Sequence, residues 1–214
     1  MPRGTATGKT KAQGFYDRIA DVQNLTMKIN GYRRAVARYL RLLDLKIGPD
    51  SLVLDAGSGT GIVTLAFHDA GFRPRRVFDL DLSFKSLKVA RAEFSERRRY
   101  EKRTSVVQGN VLRLPFADGT FDLLLTCGVL EYTPLDVGLA EAARVLKKGA
   151  PLVLIPIKPS VVGSVLKLFY NFKIHSLSEV RRAAQPHFNI VGNFKFPITE
   201  PIGWSKTLFL LEKK

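Results

Sequence analysis

From Tyr32 to Leu43 the apolar residues fall on one helical stripe: Ala35, Val36, Tyr39, Leu40 and Leu43 share a face, and Arg34, Arg38 and Arg41 point elsewhere. Gly48-Pro49-Asp50 then supplies turn chemistry that ends the helix. Beyond it, short apolar runs alternate with helical periods. The runs Leu52–Ala56, Arg76–Leu80, Ser105–Gln108, Phe121–Thr126 and Pro151–Ile157 read as strands. Gly61–Ala70, Phe84–Arg99 and Asp136–Lys147 read as the helices between them. Strands separated by helices predict a parallel sheet covered on both faces. After Ile157 the rhythm changes. Ser160–Phe172 predicts an apolar helix, and Ser176 with Glu179 predicts the capping box of another. Phe188–Phe196 and Lys206–Leu211 predict two strands close enough in sequence to pair antiparallel.

The strongest local signal is the run Leu52-Val-Leu-Asp-Ala-Gly-Ser-Gly-Thr-Gly61, a strand, a glycine turn and a helix start in that order. Glycines allow positive φ and let a ligand approach the backbone. The following helix presents unpaired N–H groups to it. Asp55, at the end of the strand, either orients the turn or meets a cationic group of the ligand. The dinucleotide fingerprint G-x-G-x-x-G is not matched, because the third glycine falls one place early and Ile62 holds its position. Gly4–Thr10 imitates a phosphate loop, but its glycines are one residue too close and no strand can precede it.

The compressed D-x-G-x-G-x-G form resembles motif I of the class I S-adenosylmethionine (SAM) dependent methyltransferases. The likeness covers about residues 50–157, with the final strand pair added by analogy. It implies a Rossmann-like α/β fold: a seven-stranded, mostly parallel sheet with a C-terminal antiparallel strand pair and helices on both faces. It implies SAM as the cofactor, no metal, and a site containing Asp55, Ala56, Gly57, Ser58, Gly59 and Gly61. In Arg76-Val-Phe-Asp-Leu-Asp-Leu-Ser83 the resemblance makes Asp81 the acceptor for both ribose hydroxyls and packs Leu82 near the adenine. The alternative is that Asp79 or Asp81 caps the helix opening at Ser83. Asp79 stands where the family often has glycine. Gln108-Gly-Asn-Val-Leu places Asn110, with Val111, where the family usually has an aspartate at the adenine amino group, and an amide oxygen can accept the same bond. Phe15-Tyr-Asp-Arg-Ile-Ala20 resembles the N-terminal lid of small-molecule members, quinone-biosynthesis C-methyltransferases among them, with Tyr16 as the aromatic that closes over the cofactor.

Ligands of such sheets bind outside the carboxyl ends of the strands. Cys127, Gly128, Glu131, Tyr132 and Lys158, just after the fourth and fifth strands, are therefore expected near the acceptor. Cys127 is also expected at the cofactor. Glu131 and Tyr132 are the catalytic candidates, with Glu131 either a base or paired to a nearby arginine. The C-terminal aromatics Phe169, Tyr170, Phe172, Phe188, Phe194, Phe196 and Trp204 read mainly as core, with a subset available to line an apolar pocket.

Composition adds limits. The chain has 214 residues, enough for one large domain. The organisation expected is a basic tail over 1–12 and one domain over 13–214, with an N-terminal helical lid at 13–48 and a helical insertion at 158–187. A single cysteine rules out an internal disulfide framework and suits a reducing, cytoplasmic compartment. No apolar run approaches the ~18 residues of a membrane-spanning helix. The net charge of +15 divides as +6 over residues 1–50, +3 over 51–157 and +6 over 158–214. Arg73-Pro-Arg-Arg76, Arg97–Arg103 and Lys147-Lys148 lie in loops entering strands, opposite the cofactor end. They predict a basic patch able to meet nucleic acid or an anionic membrane. The function expected is methyl transfer to a small acceptor, lipophilic or anionic. An RNA or protein methyltransferase and a non-catalytic SAM binder are the alternatives.

Overall fold

A computed structural model describes residues 31–170 and 172–214. The expected tail at 1–12, the lid segment up to residue 30 and Tyr16 lie outside the described residues. The chain runs through α1 (Tyr32–Leu42), β1 (Leu52–Ala56), α2 (Ile62–Asp69), β2 (Arg76–Asp81), α3 (Phe84–Ser95) and α4 (Arg98–Glu101). Next come β3 (Thr104–Gln108), β4 (Leu123–Cys127), a 3-10 turn at Leu130–Tyr132, α5 (Leu135–Val145) and β5 (Pro151–Ile155). Then follow α6 (Val161–Tyr170), α7 (Leu177–Ala184), β6 (Phe188–Lys195), α8 (Pro201–Ser205) and β7 (Thr207–Lys213).

These strands form one seven-stranded sheet in the order β3-β2-β1-β4-β5-β7-β6. The first five pair in parallel, and β7 runs antiparallel to both β5 and β6. The expected fold class is therefore present, with the later strand of the C-terminal pair inserted next to β5. The order of the strands reverses between β1 and β4, and the crevice there opens at the carboxyl ends of the strands.

Alternation within the central strands divides the core. Leu54, Leu124, Leu152 and Leu154 face α5 and α7, while Val53, Leu123, Leu125 and Val153 face α1, α2 and α8. All eight are essentially inaccessible to solvent. Complete burial of such a side chain contributes ~1.5–3 kcal/mol, so both faces are held firmly. Two ion pairs fasten α1 from outside: Arg33 makes a fork to Asp69 of α2, at 2.5 and 2.7 Å, and Arg38 reaches Glu200 beside α8.

Most element ends shift by one or two residues from the sequence expectation, and three differences are informative. The helix predicted over Phe84–Arg99 stops at Ser95, and a separate turn, α4, follows. The break brings Tyr100 inward, where its ring stacks on His68 at 4.7 Å and its hydroxyl donates to Asp69. A straight helix would leave that aromatic on a basic surface. The fourth strand begins at Leu123, because Phe121 makes only an isolated parallel bridge to Leu146. The fifth ends at Ile155, before Pro156, which has no N–H to continue the ladder; Ile157 regains a single bridge to Lys206. The capping box at Ser176 and Glu179 forms as read.

Candidate functional site

The turn after β1 is shaped by glycines at 57, 59 and 61, with φ of 75°, 57° and 78°. A side chain is excluded at Gly61, where a Cβ would lie 2.6 Å from the Phe94 ring. Gly59 is different: a Cβ there would meet nothing within 4 Å and would project into open space. The absence of a side chain thus leaves room directly against the backbone. The amides of Gly57 and Ser58 donate to the Leu80 carbonyl, at 2.7 and 2.9 Å, which ties the turn to β2.

Asp81 ends β2 and holds two elements. Its Oδ2 accepts the Gly59 amide and its Oδ1 the Ser83 amide, both at 2.8 Å. The actual N-cap of α3 is Ser83, whose hydroxyl accepts from Ser86 N. Asp81 therefore meets the entry to α3, although Ser83 is its cap, and it also faces the open cleft.

Beneath the turn, Asp55 of β1 and Asp79 of β2 stand directly opposite one another in register, both fully buried. Thr64 Oγ1, from α2, lies 2.7 Å from Asp55 Oδ2 and 2.8 Å from Asp79 Oδ1, and Ser58 Oγ donates to Asp79 Oδ2 at 2.9 Å. Burial is the main cause that raises both carboxyls: Asp55 reaches about 7, and Asp79 lies well above its ordinary value with Asp55 adding to the shift.

The opposite wall comes from the end of β4, the loop after it and α1. Cys127, Gly128, Val129, Tyr132, Thr133 and Tyr32 line it. The Tyr32 hydroxyl and Cys127 Sγ are 2.8 Å apart. Burial pushes both groups upward, so phenol and thiol remain protonated at neutral pH. Lys206, buried beside this wall, has its Nζ so close to Gly128 that a Cβ at that glycine would meet it at 2.7 Å.

Of the residues expected at the cofactor, Gly57, Ser58, Gly59, Asp81, Leu82, Asn110, Val111 and Cys127 line one continuous cleft. Asn110 Oδ1 accepts the Leu112 amide at 2.9 Å, which leaves one lone pair for a ligand. Asp55, Ala56 and Gly61 shape the floor without lining the cleft. Of the two catalytic candidates, Tyr132 lines the cleft and Glu131 does not. Glu131 is buried, and its Oε1 accepts the Ile157 amide at 2.5 Å, so it joins the loop after β4 to the end of β5. Neither alternative weighed for it, base or arginine partner, matches this bond. Lys158 is also absent from the lining.

Sequence reading missed Tyr32, which it took only as the start of a helix. No local pattern links it to Cys127. It also missed Ile62, Val63 and Val129, apolar lining residues that look like ordinary core.

At the other end of the sheet the predicted basic loops are partly used internally. Arg73 donates to the carbonyls of His68 and Phe72, Arg103 to that of Pro74, and Lys147 pairs with Asp122. Among the described residues no group of His, Cys, Asp and Glu is placed to hold a metal ion, and no helix is long and apolar enough to cross a membrane.

Residues 54–154 match the family profile described as a methyltransferase domain. A ubiquinone/menaquinone biosynthesis C-methyltransferase of Rhizobium etli is 27% identical over 186 residues, 84% of this chain and 72% of the relative. A demethylmenaquinone methyltransferase of Thermobifida fusca is 36% identical over 158 residues, 68% of this chain and 62% of the relative. Among solved structures, the geranyl diphosphate C-methyltransferase of Streptomyces coelicolor A3(2), crystallised with Mg2+, geranyl-S-thiolodiphosphate and S-adenosylhomocysteine (SAH), aligns with a TM-score of 0.72 at 20% identity, over 83% of this chain and 75% of that one.

Proposed function

We propose that this chain, which is a class I SAM-dependent methyltransferase, holds its cofactor between the Gly57–Gly61 turn and Asp81 and methylates a ring carbon of a small lipophilic acceptor of the quinol type. The open space against Gly59 and the outward carboxylate of Asp81 fit a cofactor with a ribose diol. Leu82, Asn110 and Val111 would receive its adenine. The cofactor supplies a methyl group on a cationic sulfur, electrophilic without a metal.

The chemistry of the lining carries the acceptor assignment. Among the described residues that line the cleft, the only charged side chain is Asp81, which belongs to the cofactor wall. The other wall is Tyr32, Cys127, Gly128, Val129, Tyr132 and Thr133, with phenol and thiol of Tyr32 and Cys127 held protonated. Such a wall suits an apolar ring better than an anionic group. Among the described residues that line it there is no histidine or lysine to deprotonate an amine; Lys206 lies behind Gly128, outside the lining. A hydroquinone ring needs little help, since its own hydroxyls make the adjacent carbon electron-rich. The protein aligns that carbon with the methyl and keeps water out, and alignment alone can supply several kcal/mol of a barrier. The names of the two relatives point to the same acceptor class.

The test is methyl transfer from labelled SAM, with a reduced short-chain demethylmenaquinone, a reduced benzoquinone, bulk RNA and a protein extract offered separately. Label on a quinol ring supports the reading. Label on RNA or protein overturns the acceptor class. SAM binding without transfer to any of the four favours the non-catalytic alternative.

A further inference from the structure

The carboxyl pair below the turn shares one hydroxyl that cannot donate to both, while the Thr64 backbone amide gives Asp55 a further donor. Thr64 Oγ1 lies within hydrogen-bond distance of both Asp55 Oδ2 and Asp79 Oδ1, yet a hydroxyl has a single proton to donate. If both carboxyls were anions, one of these contacts would set two lone pairs against each other in a fully buried place. With one proton on the pair, every contact is satisfied in sequence. Asp55 donates to Thr64 Oγ1, Thr64 donates to Asp79 Oδ1, and Ser58 donates to Asp79 Oδ2. Asp55 Oδ1, which has no hydrogen-bond partner, is then the carbonyl oxygen of a neutral acid, the least costly group to leave unpaired. Asp79, with a hydroxyl facing each oxygen, is the better place for the remaining charge.

We propose that Asp55 and Asp79 hold one proton between them through the Thr64 hydroxyl, and that this shared proton makes Asp79 a positioning residue of the cofactor turn. The proposal rests on the cofactor reading of the cleft. Asp79 acts through Ser58, which lines the cleft and sits between Gly57 and Gly59. The charged and titratable groups near the pair are Asp81 at the end of β2, Tyr32 of α1 and Cys127 of β4, with Glu131 and Lys206 facing Cys127 from beyond; the only charge besides the pair itself that shifts either carboxyl strongly is Asp81, which is of the same sign. Loss of the last proton would therefore leave two facing carboxylates without compensation. Their repulsion would loosen Ser58 and the turn.

The consequence is an alkaline limb in cofactor affinity. Calorimetry with SAH, which needs no acceptor, is run from pH 6 to 9 on the parent and on Asp79→Asn. The parent is expected to bind tightly at pH 6 and then to weaken by up to about tenfold per pH unit once the pair is fully ionised. Asp79→Asn, which keeps an acceptor for Ser58 but cannot form a second carboxylate, is expected to bind with no such limb. Infrared difference spectra of the parent against Asp55→Asn supply a readout free of cofactor: a protonated-carboxyl C=O band at pH 6 that disappears with alkali. Binding of SAH with no such band, or with the same limb in Asp79→Asn, overturns the shared proton. Failure of the parent to bind SAH at any pH overturns the cofactor reading and the positioning role with it, even where the infrared band titrates.

Discussion

On the cofactor side of the cleft, the side chains that hold one another come from a short stretch of sequence: Ser58 reaches Asp79, Asp81 reaches Gly59, and Thr64 lies between Asp55 and Asp79. On the acceptor side, the Tyr32 hydroxyl meets Cys127 across 95 positions, Glu131 takes the Ile157 amide, and Lys206 lies against Gly128. The first wall is made by one β-α-β unit and depends on backbone conformation. The second is made by convergence of α1, β4, β5 and the start of β7, and depends on how those elements pack. A backbone-built wall should fail abruptly when its conformation is forbidden. A wall built by packing should respond by degrees.

The largest effect expected is from Gly61→Val. A β-branched residue at φ 78° is strained, and its Cβ meets the Phe94 ring. Together these should cost roughly 4 kcal/mol, read as a drop in the midpoint of denaturant unfolding. The same substitution at an exposed loop glycine should not do this.

Next is the acid response of the helix that follows the turn. His68 of α2 is fully buried, and desolvation first, then the nearby Arg73, lowers its pKa to about 4. The folded state therefore binds fewer protons than the unfolded chain between pH 6.5 and 4. Stability from this group is complete above about pH 6.5 and is lost as pH falls toward 4, on the order of 3 kcal/mol in all. His68→Gln should flatten that part of the pH profile of unfolding.

Asp81→Ala removes the acceptor of two backbone amides and the proposed diol contact. SAH affinity should fall by about 100-fold, the worth of one or two charge-assisted bonds. Thermal stability should change far less than in Gly61→Val. A similar loss of both would show that Asp81 is chiefly structural.

The smallest effect belongs to the acceptor wall. Tyr32→Phe deletes the bond to Cys127 and should cost about 1 kcal/mol in unfolding. SAH affinity should stay within about twofold, while KM for the acceptor rises. A larger loss of SAH affinity than of acceptor binding would move Tyr32 to the cofactor wall and remove the contrast between the two.

The same contrast explains what was legible beforehand. The glycine turn, Asp81, Asn110 and Val111 could be placed because strand, turn and helix follow one another without a break, and each position takes its neighbours from adjacent sequence. Glu131 was misread because a carboxylate just past a strand end looks available, and only packing brings the Ile157 amide to it. Phe84–Arg99 was read as one helix because periodicity does not register that Tyr100 has a buried place beside His68. Tyr16 falls outside the described residues, so its expected role as a lid stands as a proposal.

Local order of apolar and polar residues determined the alternating elements, the parallel sheet they require and the backbone shape of the cofactor turn, because these depend on periods of two and 3.6 residues and on the conformational freedom of glycine. The tertiary structure decided which titratable groups meet. In sequence Asp55 reads as a residue of the cofactor turn and Asp79 only as an alternative helix cap, and they become one acid pair only when β1 and β2 align in register. Tyr32 and Cys127 meet, with Lys206 behind Gly128, only when two distant segments close on β4. Coulomb and hydrogen-bond energies act over a few ångströms of space, and the order of residues does not by itself supply those distances.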